Sequence, residues 1–201
     1  MLLGTERFVL DAPPGFSDSL PLSSPRLQEL AESLTSASNR VLLFAIADAD
    51  LRSFMSGDWP EYKRYMIIAS PARLERERVD DALFATLAGD LVRDFGPAAA
   101  TGDYVNYLET QPHGKASLLA ELRREPALVS VLHGTRLPGR AAGFWEKEST
   151  RYFLSTATLL LLRGKVLQLL VFSSFEGAHD LEWIRGVTLR WVDEVVRVNS
   201  R

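Results

Sequence analysis

The chain has 201 residues, of which 46% are apolar and 24% are charged, and its formal net charge at pH 7 is −3. This is the balance of an ordinary soluble protein, and we expect residues 1–201 to form one fairly large domain. The slight negative charge argues against nucleic acid or an anionic membrane as the main partner, because both attract clustered Lys and Arg. The chain has no cysteine, which excludes disulfides, thiol catalysis and Cys-ligated zinc.

The first part of the chain predicts short strands and one helix. Arg7–Leu10 is typical of a strand, which Pro13-Pro14-Gly15 stops. Ser24-Pro25 predicts an N-cap and the first residue of a helix, because apolar residues follow at helical spacing. Two apolar runs, Arg40–Ala47 and Lys63–Ser70, indicate buried strands.

Beyond these strands, apolar residues that repeat every fourth position predict a helix over Glu75–Phe95, and Gly96-Pro97 is a strong stop. The spacing of leucines in Lys115–Arg124 favours a second, short helix. Ala127–Leu137 then predicts a strand, and Pro138–Thr150 predicts a loop.

The most apolar run, Thr156–Phe172, is interrupted by Arg163-Gly164-Lys165. A transmembrane helix needs about 20 apolar residues without central charges, so we expect no membrane insertion. Two apolar halves around a glycine instead predict a β-hairpin over Arg151–Leu162 and Lys165–Ser173, whose turn carries both charged side chains into water. Because both strands are apolar on both faces, we expect them to lie centrally in a sheet that is covered on both sides.

The last element is the clearest helix, with Asp180 as a candidate cap and an apolar stripe that follows. The stripe consists of Trp183, Ile184, Val187, Trp191, Val195 and Val198. It must pack on something, and the preceding hairpin is the natural target. The sequence therefore predicts an α+β fold: a mainly antiparallel central sheet with helices on both faces (an α/β/α sandwich), ending in a long hairpin and a C-terminal amphipathic helix.

Three segments in this order carry a resemblance to a known group. They are Phe8-Val9-Leu10 with Pro13-Pro14-Gly15-Phe16, the hairpin Leu159–Phe172, and the helix Asp180–Asn199. Their order resembles the PsbP-like α/β/α sandwich group, which includes photosystem accessory proteins, a nuclear Ran-binding factor and bacterial exported proteins. The resemblance implies a binding or accessory role more than catalysis, and it carries no catalytic residue over to this chain.

No sequence motif assembles a known catalytic or metal-binding constellation. His113, His133 and His179 are not spaced as zinc ligands, and no P-loop, EF-hand or nucleophile elbow is present. We therefore expect no cofactor and no metal. His133 alternates with Val129 and Val131, which is typical of a strand histidine that is hydrogen-bonded to a neighbour.

Aromatic and charged residues cluster in the loop region Ser56–Tyr65 and in the loops of a second region, Pro97–Thr150. Such residues on loops are interface candidates, because aromatic rings bury large areas at low entropic cost. The candidate binding residues are Trp59, Tyr62, Lys63, Tyr104, Tyr107, His113 and Trp145. The other interpretation is that these rings plug the rim of the core.

The leading functional hypothesis is a non-enzymatic accessory domain that binds another protein through these loops. The competing hypothesis is a small-molecule binder or an enzyme, with a site assembled in three dimensions around His113, His133, Asp58 and Glu146. A third is a purely structural subunit that forms a stable oligomer. We expect a periplasmic or otherwise exported location if the chain is a mature region, and a cytoplasmic one otherwise, since the N-terminus does not have the pattern of a signal peptide.

Overall fold

The structure is a computed structural model that describes residues 1–58, 60–140 and 149–200. The strands within these ranges are β1 (Leu2–Leu3), β2 (Glu6–Arg7), β3 (Phe16–Asp18), β4 (Asn39–Ala47), β5 (Arg64–Pro71), β6 (Ala116–Glu125), β7 (Leu128–Arg140), β8 (Ser149–Leu162) and β9 (Lys165–Phe175). The α-helices are α1 (Pro25–Ser33), α2 (Asp48–Met55), α3 (Asp81–Asp94), α4 (Tyr104–Glu109) and α5 (Ala178–Asn199). None of the helices in the described ranges is both long and apolar enough to cross a membrane.

Seven strands form one antiparallel sheet in the order β3-β4-β5-β9-β8-β7-β6, and β1 and β2 form a separate small hairpin. The predicted C-terminal hairpin, β8 with β9, takes central places in this order, as its two-sided apolarity requires. Its turn residues Arg163 and Gly164 have φ angles of 51° and 75°. Two positive φ angles in a two-residue connection are the signature of a type I′ turn, which matches the right-handed twist of the strands.

Helices cover both faces of the sheet, so the predicted α+β architecture is confirmed. On one face, α1 packs on β4 and β5 through Leu27 and Ala31, and α3 packs near β7 and β8 through Phe84 and Ala88. On the opposite face, α4 and α5 join one large cluster with β7, β8 and β9, which we call the α5 cluster. The residues of α5 that are buried in that cluster are Ile184, Val187, Trp191, Val192 and Val195. The apolar stripe of the last helix therefore packs on the hairpin, as predicted.

The N-terminal segment is bonded along α5. The side chain of Asn199 accepts a hydrogen bond from the Val9 backbone N–H at 2.9 Å and donates to the Val9 carbonyl at 2.8 Å. The indole N–H of Trp191 donates to the Asp11 carbonyl at 2.8 Å. The backbone at Val9 and Asp11 is thus hydrogen-bonded to side chains of α5 and not to a neighbouring strand. The strand predicted over Arg7–Leu10 is therefore wrong, since the strand here covers Glu6–Arg7.

Lys165 is not carried into water by the hairpin turn, which corrects the sequence prediction. Its side chain is 5% exposed, and its ammonium group donates to the carbonyls of Glu75 and Glu77 at 3.0 and 2.6 Å. The Val79 backbone N–H donates to the Gly164 carbonyl at 2.8 Å. These bonds hold the segment before α3 in a non-helical path. The helix predicted from Glu75 therefore begins only at Asp81, with a side-chain cap from the preceding residue.

The segment predicted as a short helix over Lys115–Arg124 is strand β6, so that prediction is wrong. Two register shifts interrupt its pairing with β7, between Leu118 and Ala120 and between Glu121 and Arg123. Such shifts break the two-residue period of a strand and leave apolar residues at spacings that resemble those of a helix. Leu118 packs with the buried residues around Phe84 and Ala88 of α3, and Leu119 packs in the α5 cluster on the opposite face of the sheet.

Two smaller predictions also change. The predicted loop Pro138–Thr150 is shorter, because β7 continues to Arg140 and β8 begins at Ser149. The helix α5 starts after Gly177, so Asp180 is not its N-cap residue. Its carboxylate instead accepts from the Glu176 backbone N–H at 2.9 Å and from Arg64 at 2.8 Å.

Candidate functional site

A row of side chains crosses one face of the sheet and mixes polar with aromatic residues. His133 of β7 lies directly opposite Ser155 of β8, Ser155 opposite Phe172 of β9, Phe172 opposite Tyr65 of β5, and Tyr65 opposite Ile46 of β4. Residues that pair directly across antiparallel strands point to the same face. This row, which we call the floor row, therefore places His133 and Ser155 beside a strip of large apolar side chains.

A cavity of about 540 Å³ lies above this row, and we call it the His133 groove. Its lining consists of Leu30, Leu34, Phe44, Glu61, Tyr62, Tyr65, His133, Thr135, Leu137, Phe153, Ser155 and Phe172. A smaller cavity of about 270 Å³ shares Leu34, His133 and Phe172 with it and reaches Leu91 and Phe95 at the end of α3. The helices α1 and α3 thus contribute walls on either side of the floor row. Small-molecule pockets are commonly about 300–1,000 Å³ and mostly apolar, with a few placed polar groups.

The imidazole of His133 is the most unusual group in the groove. Its side chain is 9% exposed and stacks on the ring of Phe95, with the ring centroids 4.2 Å apart and the planes at 17°. Its Nδ1 atom is buried and has no hydrogen-bond partner in the described part of the chain. Burial lowers the pKa of His133 to about 4, so the ring is neutral at pH 7. For Nδ1, the neighbouring hydrogen-bond partner that the sequence predicted is therefore not found among the described residues.

Aromatic rings form most of the remaining floor. Tyr65 and Phe172 are stacked with centroids 4.6 Å apart, and Phe153 lies tilted at 6.1 Å from Tyr65 and 6.3 Å from Phe172. Burial raises the pKa of the Tyr65 phenol, which keeps it protonated. Large rings that pack on one another give a rigid apolar surface with polar tips.

The charges near the groove are few and lie toward one end. Glu61 lines the cavity, and no Lys or Arg does so among the residues that the structure describes. Burial raises the pKa of the Tyr62 phenol, the Arg26 charge opposes this, and the Asp50 charge adds to it. Burial and the Glu61 charge both raise the pKa of Asp50. The acidic residues near the described part of the groove, Glu61 and Asp50, thus lie at the end near Tyr62.

Of the residues predicted from sequence to bind, Tyr62 lines the groove, at the end of the loop before β5 and with a φ of 48°. Lys63 is exposed and pairs with the carboxylates of Glu176 at 3.2 Å and Glu61 at 3.6 Å. His113 is exposed in the turn between α4 and β6. Trp59 and Trp145 lie outside the described residues.

The two tyrosines predicted from the second loop region belong to α4. Tyr104 is 9% exposed in the α5 cluster, and its hydroxyl accepts a hydrogen bond from Arg185 at 3.1 Å. Tyr107 is half-buried and donates to the Pro97 carbonyl at 3.3 Å. For these two rings the structure therefore places side chains at the rim of the core.

The four residues of the alternative site do not share one environment. His133 lies in the groove, whereas His113 and Asp58 are exposed and do not line it. Glu146 lies outside the described residues. Within the described ranges, no group of three or more acidic or histidine side chains is arranged to hold a metal ion. The structure also pairs His133 with no described carboxylate, so the oriented imidazole of a catalytic triad is not assembled there.

Sequence reasoning missed the rest of the floor row. Ser155, Phe172 and Tyr65 read as ordinary strand residues, because each lies in a different apolar run. One usable signal was present: Ser155 and His133 are polar residues on strands that are otherwise largely buried and apolar. A buried polar residue is informative because burying it without a partner costs free energy.

Two other cavities differ from the groove in their lining. One of about 640 Å³ lies beside α1 and the start of β4, with several serines, Glu32 and Arg40 in its wall. Another of about 580 Å³ lies between Pro13-Pro14 and α5. Neither has a buried polar atom without a partner in its described lining. Comparisons of the chain with protein-family models, with curated proteins and with solved structures find no match.

Proposed function

We propose that this protein binds a small, largely apolar molecule in the His133 groove. The observation that carries the proposal is the buried Nδ1 atom of His133, which has no partner in the described part of the chain and belongs to a residue that lines a cavity large enough for a ligand. Buried polar atoms in proteins are nearly always hydrogen-bonded, and each exception calls for an explanation. A bound molecule that supplies the missing partner is such an explanation.

The packing around the groove supports the same proposal. Here the space is bounded by stacked rings, and Ser155 and Thr135 add hydroxyl groups to its wall. A rigid apolar surface with a few converging polar groups is the usual composition of a ligand site.

A neutral dye whose fluorescence increases in apolar surroundings, such as Nile red, tests the proposal directly. The variant Ser155→Phe places a ring on the floor of the groove, where the wild-type side chain is 4% exposed. We expect it to weaken dye binding by about tenfold or more, about 1.4 kcal/mol, because the new ring occupies volume that the dye requires. The matched control is Thr86→Phe on the exposed side of α3, which leaves affinity unchanged.

Circular dichroism and urea unfolding must show that both variants are folded. Equal dye affinity in wild type and Ser155→Phe would show that the dye binds elsewhere. If the wild-type protein does not bind the dye saturably, the proposal is wrong.

A second proposal keeps the leading hypothesis from the sequence, an accessory role through binding another protein. Its support is Met55, which ends α2 with a side chain 69% exposed, next to the loop that carries Lys63. Methionine is enriched at protein interfaces relative to the rest of the protein surface. The double variant Met55→Asp with Lys63→Glu should lose specific partners in cross-linking from the native source, and an unchanged partner set would contradict it. The PsbP-like resemblance and an exported location stay predictions.

A further inference from the structure

We infer that the His133 groove selects an uncharged molecule that joins an apolar body to one hydroxyl or amide group, and that it rejects the matching carboxylate. This inference rests on the proposed function, because it specifies the chemistry of a ligand for that same groove. It follows from two features: the charges around the cavity and the hydrogen-bonding state of His133.

The charges disfavour an anion. A carboxylate that enters an apolar cavity loses its water and requires a cation or several donors in exchange. No described lining residue of either cavity is Lys or Arg, and the acid in the lining is Glu61. The nearby basic groups are engaged elsewhere: Lys63 pairs with Glu176 and Glu61, and the guanidinium of Arg26 lies 5.6 Å from the centroid of the Phe54 ring.

The imidazole favours a neutral hydrogen-bonding group. A neutral imidazole carries one donor nitrogen and one acceptor nitrogen, and its tautomer decides which is which. Burial against Phe95 keeps the ring neutral at pH 7, with a pKa of about 4. Because a hydroxyl or an amide both donates and accepts, either group can pair with Nδ1 in either tautomer. The hydroxyl of Ser155, directly across from His133, offers a further partner.

Three probes of similar shape separate these effects: 2-naphthol, 2-naphthoate and 2-methylnaphthalene, each used to displace Nile red from the wild-type protein at pH 7. We expect 2-naphthol to bind about tenfold more tightly than 2-naphthoate, because the described lining of the groove offers the anion no Lys or Arg. We expect 2-naphthol to bind about fivefold more tightly than 2-methylnaphthalene, because one additional hydrogen bond typically contributes about this factor. In His133→Phe, which keeps a ring against Phe95, the preference for 2-naphthol over 2-methylnaphthalene should vanish while 2-methylnaphthalene still binds.

The outcomes are distinguishable from failure of the proposed function. If 2-naphthoate binds as tightly as 2-naphthol, or if the preference for the hydroxyl survives in His133→Phe, this inference is overturned and groove binding stands. If none of the three probes displaces the dye, this inference is overturned, whereas the proposed function fails only if Nile red itself does not bind saturably. Should His133→Phe not fold, His133→Leu provides the same comparison, and the ranking of the probes on the wild type decides the charge selection by itself.

Discussion

Acidification from pH 7 to pH 5 is expected to destabilise this protein through His133. The pKa of this imidazole in the folded state is about 4, below its ordinary value of 6.5, because burial disfavours the charged ring. Above pH 6.5 both the folded and the unfolded chain hold a neutral imidazole. As the pH falls below 6.5, the unfolded chain takes up a proton that the folded chain cannot accept until about pH 4. The free energy of unfolding must therefore fall with pH in this window.

The size of the effect follows from the two pKa values. A difference of about 2.5 pKa units corresponds to a limit of about 3 kcal/mol, which is reached below pH 4. At pH 5 the loss relative to neutral pH is about 2 kcal/mol, since the unfolded imidazole is almost fully protonated and the folded one is not. Within a typical total stability of about 5–15 kcal/mol, this change is readily measured.

Urea unfolding at pH 7, 6 and 5 measures this loss of stability, with His133→Phe as the matched control. The variant keeps an aromatic ring beside Phe95 and has no titrating group at this position. Carboxylates such as Asp180 are common to both proteins and cancel in the comparison. Burial acts to raise the pKa of Asp180, but the backbone N–H of Glu176 and the Arg64 guanidinium lower it overall. We expect the stability difference between the two proteins to change by about 2 kcal/mol from pH 7 to pH 5. Parallel pH profiles would refute the reasoning that His133 is buried in its neutral form.

Two further substitutions test how the core is held together. Lys165→Met removes the ammonium group that binds two backbone carbonyls before α3, and we expect it to lower the free energy of unfolding by about 2–3 kcal/mol, whereas the exposed Lys115→Met changes it little. Gly134→Ala places a methyl group 2.8 Å from a leucine side chain of α4, and we expect a loss of about 1–2 kcal/mol in urea unfolding. Gly89→Ala, in open space within α3, is its control and should instead stabilise by about 0.5–1 kcal/mol. An unchanged free energy of unfolding in Lys165→Met would contradict the described role of its ammonium group. A change of the same sign in Gly134→Ala and Gly89→Ala would contradict the described packing at Gly134.

The central hairpin could be predicted from the sequence, because its signals are local. Arg163-Gly164 lies between two apolar runs, and a turn with two positive φ angles needs little else to be recognised. The helix α5 was predictable for the same reason, since its stripe has the 3.6-residue period over many turns. The strand β6 was not, because its register shifts depend on the neighbouring strand β7.

The candidate site could be predicted only in fragments. His133 and Tyr62 were recognised as residues of interest, but nothing in their local sequence brings them together. The floor of the groove exists because β5, β7, β8 and β9 pair in one register. These are contacts between residues that are far apart in sequence, and a single sequence does not encode them in any short pattern.

The floor row also bears on why the groove is open. A leucine or phenylalanine at position 133 or 155 would bury apolar surface and would not require a hydrogen-bond partner, so either would serve the core better than His133 and Ser155. The present residues leave an imidazole nitrogen without a described partner and a cavity above a stacked aromatic floor. Sites that bind ligands commonly give up stability in this way, because the polar groups and empty space that a ligand uses are unfavourable without it. The same two features that weaken the core are those that a neutral, hydrogen-bonding ligand would satisfy.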